Sequence, residues 1–326
     1  MTVDGLGPHV LITPNLAGLL PQLRQRYPHC RFTAVADDEP IREEYLDAEV
    51  VLRSAMNEDL FDALLSKCHQ LRWVQITAAG FDWVGGEAWH RRLDEGLIYT
   101  RSPNSYNVPI AEYVIGAVLL HARAFPELAA AQQRHEWIRV MGQDVIGSTM
   151  LVFGTGAIGR EVAWRAEALG ATVIGVNRTG APAEGFTRVV PFAEHLALLP
   201  EADSVVLAMP LTSENQYFFD AAHFAAMKDS AVLVNVGRGA LIVEDALVDA
   251  MRGGVIGGAV LDVFEQEPLP ADSRLWDLPR TVLTPHTSFR GSGNLQRLYA
   301  DFCANFDRYL AGEQLIGTKR QPDLGY

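Results

Sequence analysis

The stretch Met150–Gly159, M-L-V-F-G-T-G-A-I-G, constrains this chain more than any other. The apolar run from Met150 to Phe153 has the length and bulk of a buried strand, and a helix-like pattern follows from Ala157 to Leu169. Between them Gly154, Gly156 and Gly159 fit G-x-G-x-x-G, the dinucleotide fingerprint. The first glycine permits the tight turn, the second lets a pyrophosphate approach the backbone, and the third lets helix and strand pack closely. Phosphates then rest on unpaired N–H groups at a helix N-terminus, whose dipole favours negative charge. A further apolar run, Thr172–Val176, completes a strand–helix–strand unit. Gly154, Thr155, Gly156, Ala157, Ile158 and Gly159 are therefore expected to hold a dinucleotide.

The pattern around this unit repeats. A chain of 326 residues exceeds one typical core, so two domains are expected. Short strands are read at His9–Ile12, Phe32–Ala36, Val50–Arg53 and Trp73–Ile76, with helices at Leu19–Tyr27 and Glu58–Ser66. An apolar helix follows at Ala111–Arg123, then Gln132–Gly142 with Trp137. The second series has strands at Met150–Phe153, Thr172–Val176, Ser204–Ala208, Ala231–Val236, Gly258–Asp262 and Thr281–Thr284, and a last helix spans Leu295–Leu310. Alternating strands and helices imply an α/β chain of two doubly wound parallel-sheet domains, each sheet covered on both faces. A Rossmann dinucleotide-binding domain, 103–290, is then inserted into a second domain made of 1–102 and 291–326, with chemistry expected in the cleft between them.

Composition removes several function classes. A net charge of −13 argues against a nucleic-acid partner, which needs clustered cations. No apolar run reaches the length of a membrane span, and Met1–Pro8 lacks the pattern of a signal peptide. Cys30, Cys68 and Cys303 are odd in number and far apart, which suits free thiols in a reducing cytoplasm. No metal-ligand cluster is evident, so no metal is expected.

The cofactor type turns on position 177. An NAD site usually carries an acidic residue near the end of the second strand, bonded to the ribose 2′-OH. Here Asn177 is followed by Arg178 and Thr179, a set that can hold a 2′-phosphate through charge-assisted bonds. NADP(H) is favoured and NAD(H) remains possible, and Asn177→Asp is expected to turn preference toward NADH. Three other strand ends carry reactive groups: Arg238 between glycines, the carboxylates Asp262, Glu265 and Glu267, and His286 after Thr284-Pro285.

These segments resemble the D-isomer-specific 2-hydroxyacid dehydrogenases, and within them the NADP-preferring glyoxylate/hydroxypyruvate reductases. The resemblance runs through G-T-G-A-I-G (154–159), M-K-D-S-A-V-L-V-N-V-G-R-G (227–239), L-D-V-F-E-Q-E-P-L-P (261–270) and T-P-H (284–286). It implies a flavodoxin-like fold for the 1–102 and 291–326 substrate domain. It also implies catalytic roles for Arg238, Glu267 and His286, and the E-x-E-P spacing selects Glu267 over Glu265. His286 would pass the proton, Glu267 would favour its charged form, and Arg238 would clamp the substrate carboxylate. Cofactor contacts are implied at Pro210, Val236, Gly237 and Asp262, the last on the nicotinamide side. Ala79 and Gly80 would hold the substrate carboxylate through backbone N–H groups, and Asn104–Glu112 would form a hinge.

The activity implied is interconversion of a 2-ketoacid and a D-2-hydroxyacid by a homodimer. The alternative is a catalytically silent, NAD(P)H-sensing, corepressor-like binding protein. The other histidines, such as His121, His135, His195 and His223, read as surface or packing residues.

Overall fold

The computed structural model describes residues 7–36, 41–54, 56–77, 86–102 and 104–318. The chain divides into unit 1, Met1–Ser105 with Ser292–Tyr326, and unit 2, Tyr106–Gly291.

Unit 1 begins with β1 (His9–Ile12), α1 (Leu20–Arg26), β2 (Arg31–Ala34), β3 (Val50–Arg53), α2 (Glu58–Lys67), β4 (Trp73–Ile76), α3 (Glu87–Asp94) and β5 (Ile98–Arg101). Every pairing is parallel, in the order β2-β1-β3-β4-β5, the flavodoxin-like arrangement. β1, β3 and β4 are buried throughout because both faces of the sheet are covered. Alternate residues of one strand serve opposite cores, since side chains on a strand have a period of two. Leu11, Val51 and Val74 join Phe61, Leu64 and Trp89 on one face, whereas Val10, Val50 and Trp73 meet a different set on the other.

Unit 2 contains most of α4 (Asn104–Ala122), then α5 (Phe125–Gln133), β6 (Thr149–Phe153), α6 (Ala157–Ala168), β7 (Thr172–Asn177) and β8 (Arg188–Pro191). It continues with β9 (Ser204–Leu207), α7 (Ala221–Ala226), β10 (Val232–Asn235), α8 (Glu244–Arg252), β11 (Gly258–Leu261) and β12 (Thr281–Leu283). The parallel sheet runs β12-β11-β10-β9-β6-β7-β8, a Rossmann order with one strand added at the β12 edge. α9 (Asn294–Ala311) belongs to unit 1, where Phe302 stacks on Trp73 with ring centroids 5.6 Å apart. Full burial of an aromatic or aliphatic side chain of this size contributes about 1.5–3 kcal/mol.

The structure departs from the sequence reading in two edge strands and two helical segments, one of them α5, which ends at Gln133 where the reading had Gln132–Gly142 begin. β8 and β5 are additional. β8 opens on Arg188, closes on Pro191 and is only half-buried, so it carries no apolar run to announce it. α4 begins at Asn104 rather than near Ala111, so the segment expected as a hinge is helical with Pro109 inside it. Proline cannot donate to the carbonyl four residues earlier. That carbonyl, of Ser105, instead accepts Arg297 Nε of α9 at 3.1 Å. Among the described residues no single helix is long and apolar enough to cross a membrane.

Candidate active site

Because the unit 2 sheet is wholly parallel, the carboxyl ends of its strands share one edge, and the sequence-selected residues fall along it. β6 and β9 are neighbours at the point where strand order reverses. The fingerprint leaves β6 there. Gly154 adopts φ +102°, and a Cβ on it would lie 2.7 Å from the Ala208 carbonyl oxygen, so no other residue fits the turn. A Cβ on Gly159 would lie 1.9 Å from the Gly154 oxygen. Gly156 differs, because a Cβ there meets nothing. Its glycine leaves open space at the start of the 12-residue helix α6, and no side chain caps that end. Uncapped N–H groups beside an open cradle fit a pyrophosphate.

Asn177 ends β7 and is half-buried, while Arg178 and Thr179 beyond it are exposed. Pro210 follows β9, and its carbonyl accepts Asn215 Nδ2 at 2.9 Å. Val236 and Gly237 are buried after β10. The loop that carries Arg238 is held from beneath by Asn235, fully buried, whose Nδ2 donates to the Arg238 carbonyl at 2.9 Å. A Cβ on Gly239 would lie 1.9 Å from the Phe264 carbonyl carbon, so glycine is what lets the Arg238 loop press against the loop after β11. β10, β11 and β12 are adjacent, so the guanidinium, carboxylate and imidazole spring from three consecutive strand ends, each roughly 5 Å from the next.

The imidazole and a carboxylate meet directly. His286 Nδ1 lies 2.7 Å from Glu267 Oε2, and Glu267 Oε1 accepts the Phe264 N–H at 3.0 Å. An ionised carboxylate only accepts, so Nδ1 carries the hydrogen and Nε2 is left to give or take a proton. Glu265 turns elsewhere and accepts from the Tyr217 hydroxyl. The pair forms one wall of a recess of about 500 Å³ otherwise lined mainly by apolar side chains, among them Phe264, Leu269, Trp276 and Leu283.

Asp262 is 0% exposed. Its carboxylate accepts Thr284 Oγ1 at 2.6 Å, Thr287 N–H at 2.8 Å and Ser288 N–H at 2.9 Å. Tyr113 of α4 bonds the same Thr284 hydroxyl at 2.6 Å. These contacts bracket His286, whose own N–H donates to the Asp262 carbonyl at 2.8 Å and whose φ is +48°. The sequence reading placed Asp262 toward the nicotinamide; in the structure it clamps the turn that carries the imidazole. Asn235, Thr284 and Tyr113 were not singled out from the sequence, and nothing in their spacing marks them. Ala79 and Gly80 lie outside the described residues.

The other histidines of unit 2 include two that burial holds neutral. His195 packs among phenylalanines, donates from Nδ1 to the Phe192 carbonyl and pairs with His223 Nε2 at 2.8 Å. Burial is the main cause that lowers the pKa of His195, and likewise that of His121, from the ordinary 6.5. Their stability contribution is complete above 6.5 and drains away as acid charges the unfolded chain first. The melting temperature is expected to fall between about pH 7.5 and about pH 5.5, with the fall reduced in His195→Gln; a flat profile would contradict these assignments.

The sequence and the fold also match known proteins. The model of the D-isomer specific 2-hydroxyacid dehydrogenase NAD binding domain matches residues 115–288. Glyoxylate/hydroxypyruvate reductase B of Klebsiella pneumoniae is 35% identical over 250 residues, 75% of this chain and 76% of that protein. A solved D-isomer specific 2-hydroxyacid dehydrogenase family protein from Aeromonas salmonicida has 32% identity and a TM-score of 0.81, covering 96% of this chain and 98% of its own. An NADPH-dependent glyoxylate/hydroxypyruvate reductase from Sinorhizobium meliloti, solved with NADP and sulfate, has 26% identity and a TM-score of 0.80 with the same two coverages, 96% and 98%.

Proposed function

Because this chain belongs to the D-isomer specific 2-hydroxyacid dehydrogenase family, we propose that it reduces a small 2-ketoacid with NADP(H) in preference to NAD(H). In this reading unit 2 is the nucleotide domain and unit 1 the substrate domain. The observation that carries the chemistry is the His286–Glu267 pair, standing on the next two strand ends in line after the one that bears Arg238.

The reduced nicotinamide supplies a hydride when bound. His286 Nε2 would deliver the proton that the carbonyl oxygen takes up as the ketoacid becomes a hydroxyacid. Glu267, bonded to Nδ1, holds the ring in place and fixes its hydrogen there, which leaves Nε2 for the proton transfer. Arg238 holds the substrate carboxylate and offsets the negative charge that grows on the carbonyl oxygen. In the reverse direction His286 takes the proton back. Pyrophosphate would rest on residues Gly154 to Gly159, with Pro210, Val236 and Gly237 lining the seat and Ala79 and Gly80 meeting the substrate. The NADP(H) preference is supported by Arg178 and Thr179 at the end of β7 and by the NADP held by the Sinorhizobium meliloti relative.

Steady-state rates with glyoxylate, hydroxypyruvate, pyruvate and bulkier 2-ketoacids, each with NADPH and NADH, test this reading. Turnover with small ketoacids and a higher kcat/KM for NADPH are expected. NADPH binding without turnover on any ketoacid would favour the silent binding protein.

A homodimer is part of the same proposal. Trp137 and Met141 are each 94% exposed and Ile146 is 73% exposed, an apolar segment that a second copy would cover. Sedimentation should give twice the chain mass of 35.8 kDa, and a species of that single mass would remove the dimer. Three free thiols favour a cytoplasmic location, which cell fractionation would check.

A further inference from the structure

An amide side chain has two N–H donors and an oxygen with two lone pairs. Asn177 spends all four inside the protein. Its Nδ2 donates to Thr155 Oγ1 at 3.0 Å and to the Ala181 carbonyl at 2.9 Å. Its Oδ1 accepts the N–H groups of Thr179 at 3.1 Å and Gly180 at 2.7 Å. The side chain therefore ties the second residue of the glycine fingerprint to the loop across 178–181. That loop turns at Gly180, φ +75°, where a Cβ would lie 2.8 Å from the Pro191 ring. Arg178 and Thr179 are left exposed at its tip.

We propose that Asn177 is a positioning residue for cofactor choice, which fastens this loop so that Arg178 and Thr179 face a 2′-phosphate and makes no bond to the nucleotide itself. The inference rests on the NADP(H) reading above and says how that preference is built. It also explains why an amide stands where a carboxylate is usual. Aspartate has the same shape but no N–H to donate. Asn177→Asp keeps the bonds from Thr179 and Gly180, can keep Thr155 only with the hydroxyl reversed to donate, loses the bond to Ala181, and sets a charged oxygen against that carbonyl oxygen. Charge reasoning alone makes that substitution a switch toward NADH. The hydrogen bonds make it a loosening of the loop, with a loss on the phosphate side and no gain on the other.

The probes that isolate this contact are 2′,5′-ADP and 5′-AMP, titrated calorimetrically into wild type, Asn177→Ala, Asn177→Asp and Arg178→Ala. Wild type should hold 2′,5′-ADP about ten- to a hundred-fold tighter than 5′-AMP, the range of one charged contact. All three variants should lose most of that ratio with 5′-AMP affinity unchanged. Amide hydrogen exchange separates the causes. Protection at the Thr179 and Gly180 N–H groups should vanish in Asn177→Ala and persist in Arg178→Ala. Wild-type protein that binds both probes equally removes the NADP(H) reading and this role with it. A wild-type ratio that survives in Asn177→Ala, or tighter 5′-AMP binding in Asn177→Asp, overturns the positioning role alone.

Discussion

His286→Ala is expected to lower kcat by about 10²- to 10⁴-fold while NADPH affinity stays near that of wild type. The two readouts separate because the groups stand on different strands. The proposed phosphate seat leaves β6, and the imidazole stands beyond β12, at the far edge of the same sheet. Alanine removes the proton donor without touching the fingerprint. Equal kcat in the variant would take His286 out of the mechanism. Glu267→Gln sharpens the test. Two donors, His286 Nδ1–H and Phe264 N–H, converge on two carboxylate oxygens. Glutamine has one oxygen, so one of those bonds must go and the imidazolium loses its counter-charge. The variant's kcat per NADPH-binding site should fall while NADPH affinity stays near that of wild type, a split that simple loss of folded protein does not produce.

How much of this was visible in the residues depends on the range over which each feature is encoded. β1, β3 and β4 were read with their observed bounds, because a strand buried on both faces must be apolar throughout. β8 was missed because an edge strand has no such obligation. The glycine fingerprint is local, and the positive φ of Gly154 and the close approach of Gly159 to the Gly154 oxygen lie within six residues. The His286–Glu267 contact spans 19 positions, and around Glu267 the chain is irregular, where no periodicity tells Glu267 from Glu265. Family resemblance made that choice, and in the structure Glu265 pairs with Tyr217 instead. The Tyr113–Thr284 bond joins residues 171 apart, and only the folded sheet brings them together. Position 177 shows a different limit. Its distance from Gly154 locates it at the end of β7, but spacing does not say where a side chain spends its bonds.

Asp262 gives the second large effect, and its two possible roles predict opposite signatures. A residue that touches the nicotinamide would, on substitution, weaken cofactor binding and leave the fold intact. A buried carboxylate that holds the Thr284–Ser288 turn would do the reverse. Asp262→Ala strands the N–H groups of Thr287 and Ser288 and leaves the Thr284 hydroxyl with Tyr113 alone, and an unsatisfied buried donor costs about 1–3 kcal/mol. Some of these find water, so a net loss of about 3 kcal/mol is expected, a melting temperature roughly 6–12 °C lower for a unit of this size. kcat should fall with it. His286 sits at φ +48°, a conformation that costs about 1–3 kcal/mol and persists only while its surroundings enforce it. Once the clamp is gone the turn relaxes and the imidazole leaves the carbonyl it must protonate. NADPH affinity, set mainly by the fingerprint three strands away at β6, should change little. Melting and kcat near wild type together with a large loss of NADPH affinity would return Asp262 to the cofactor and deny it the turn.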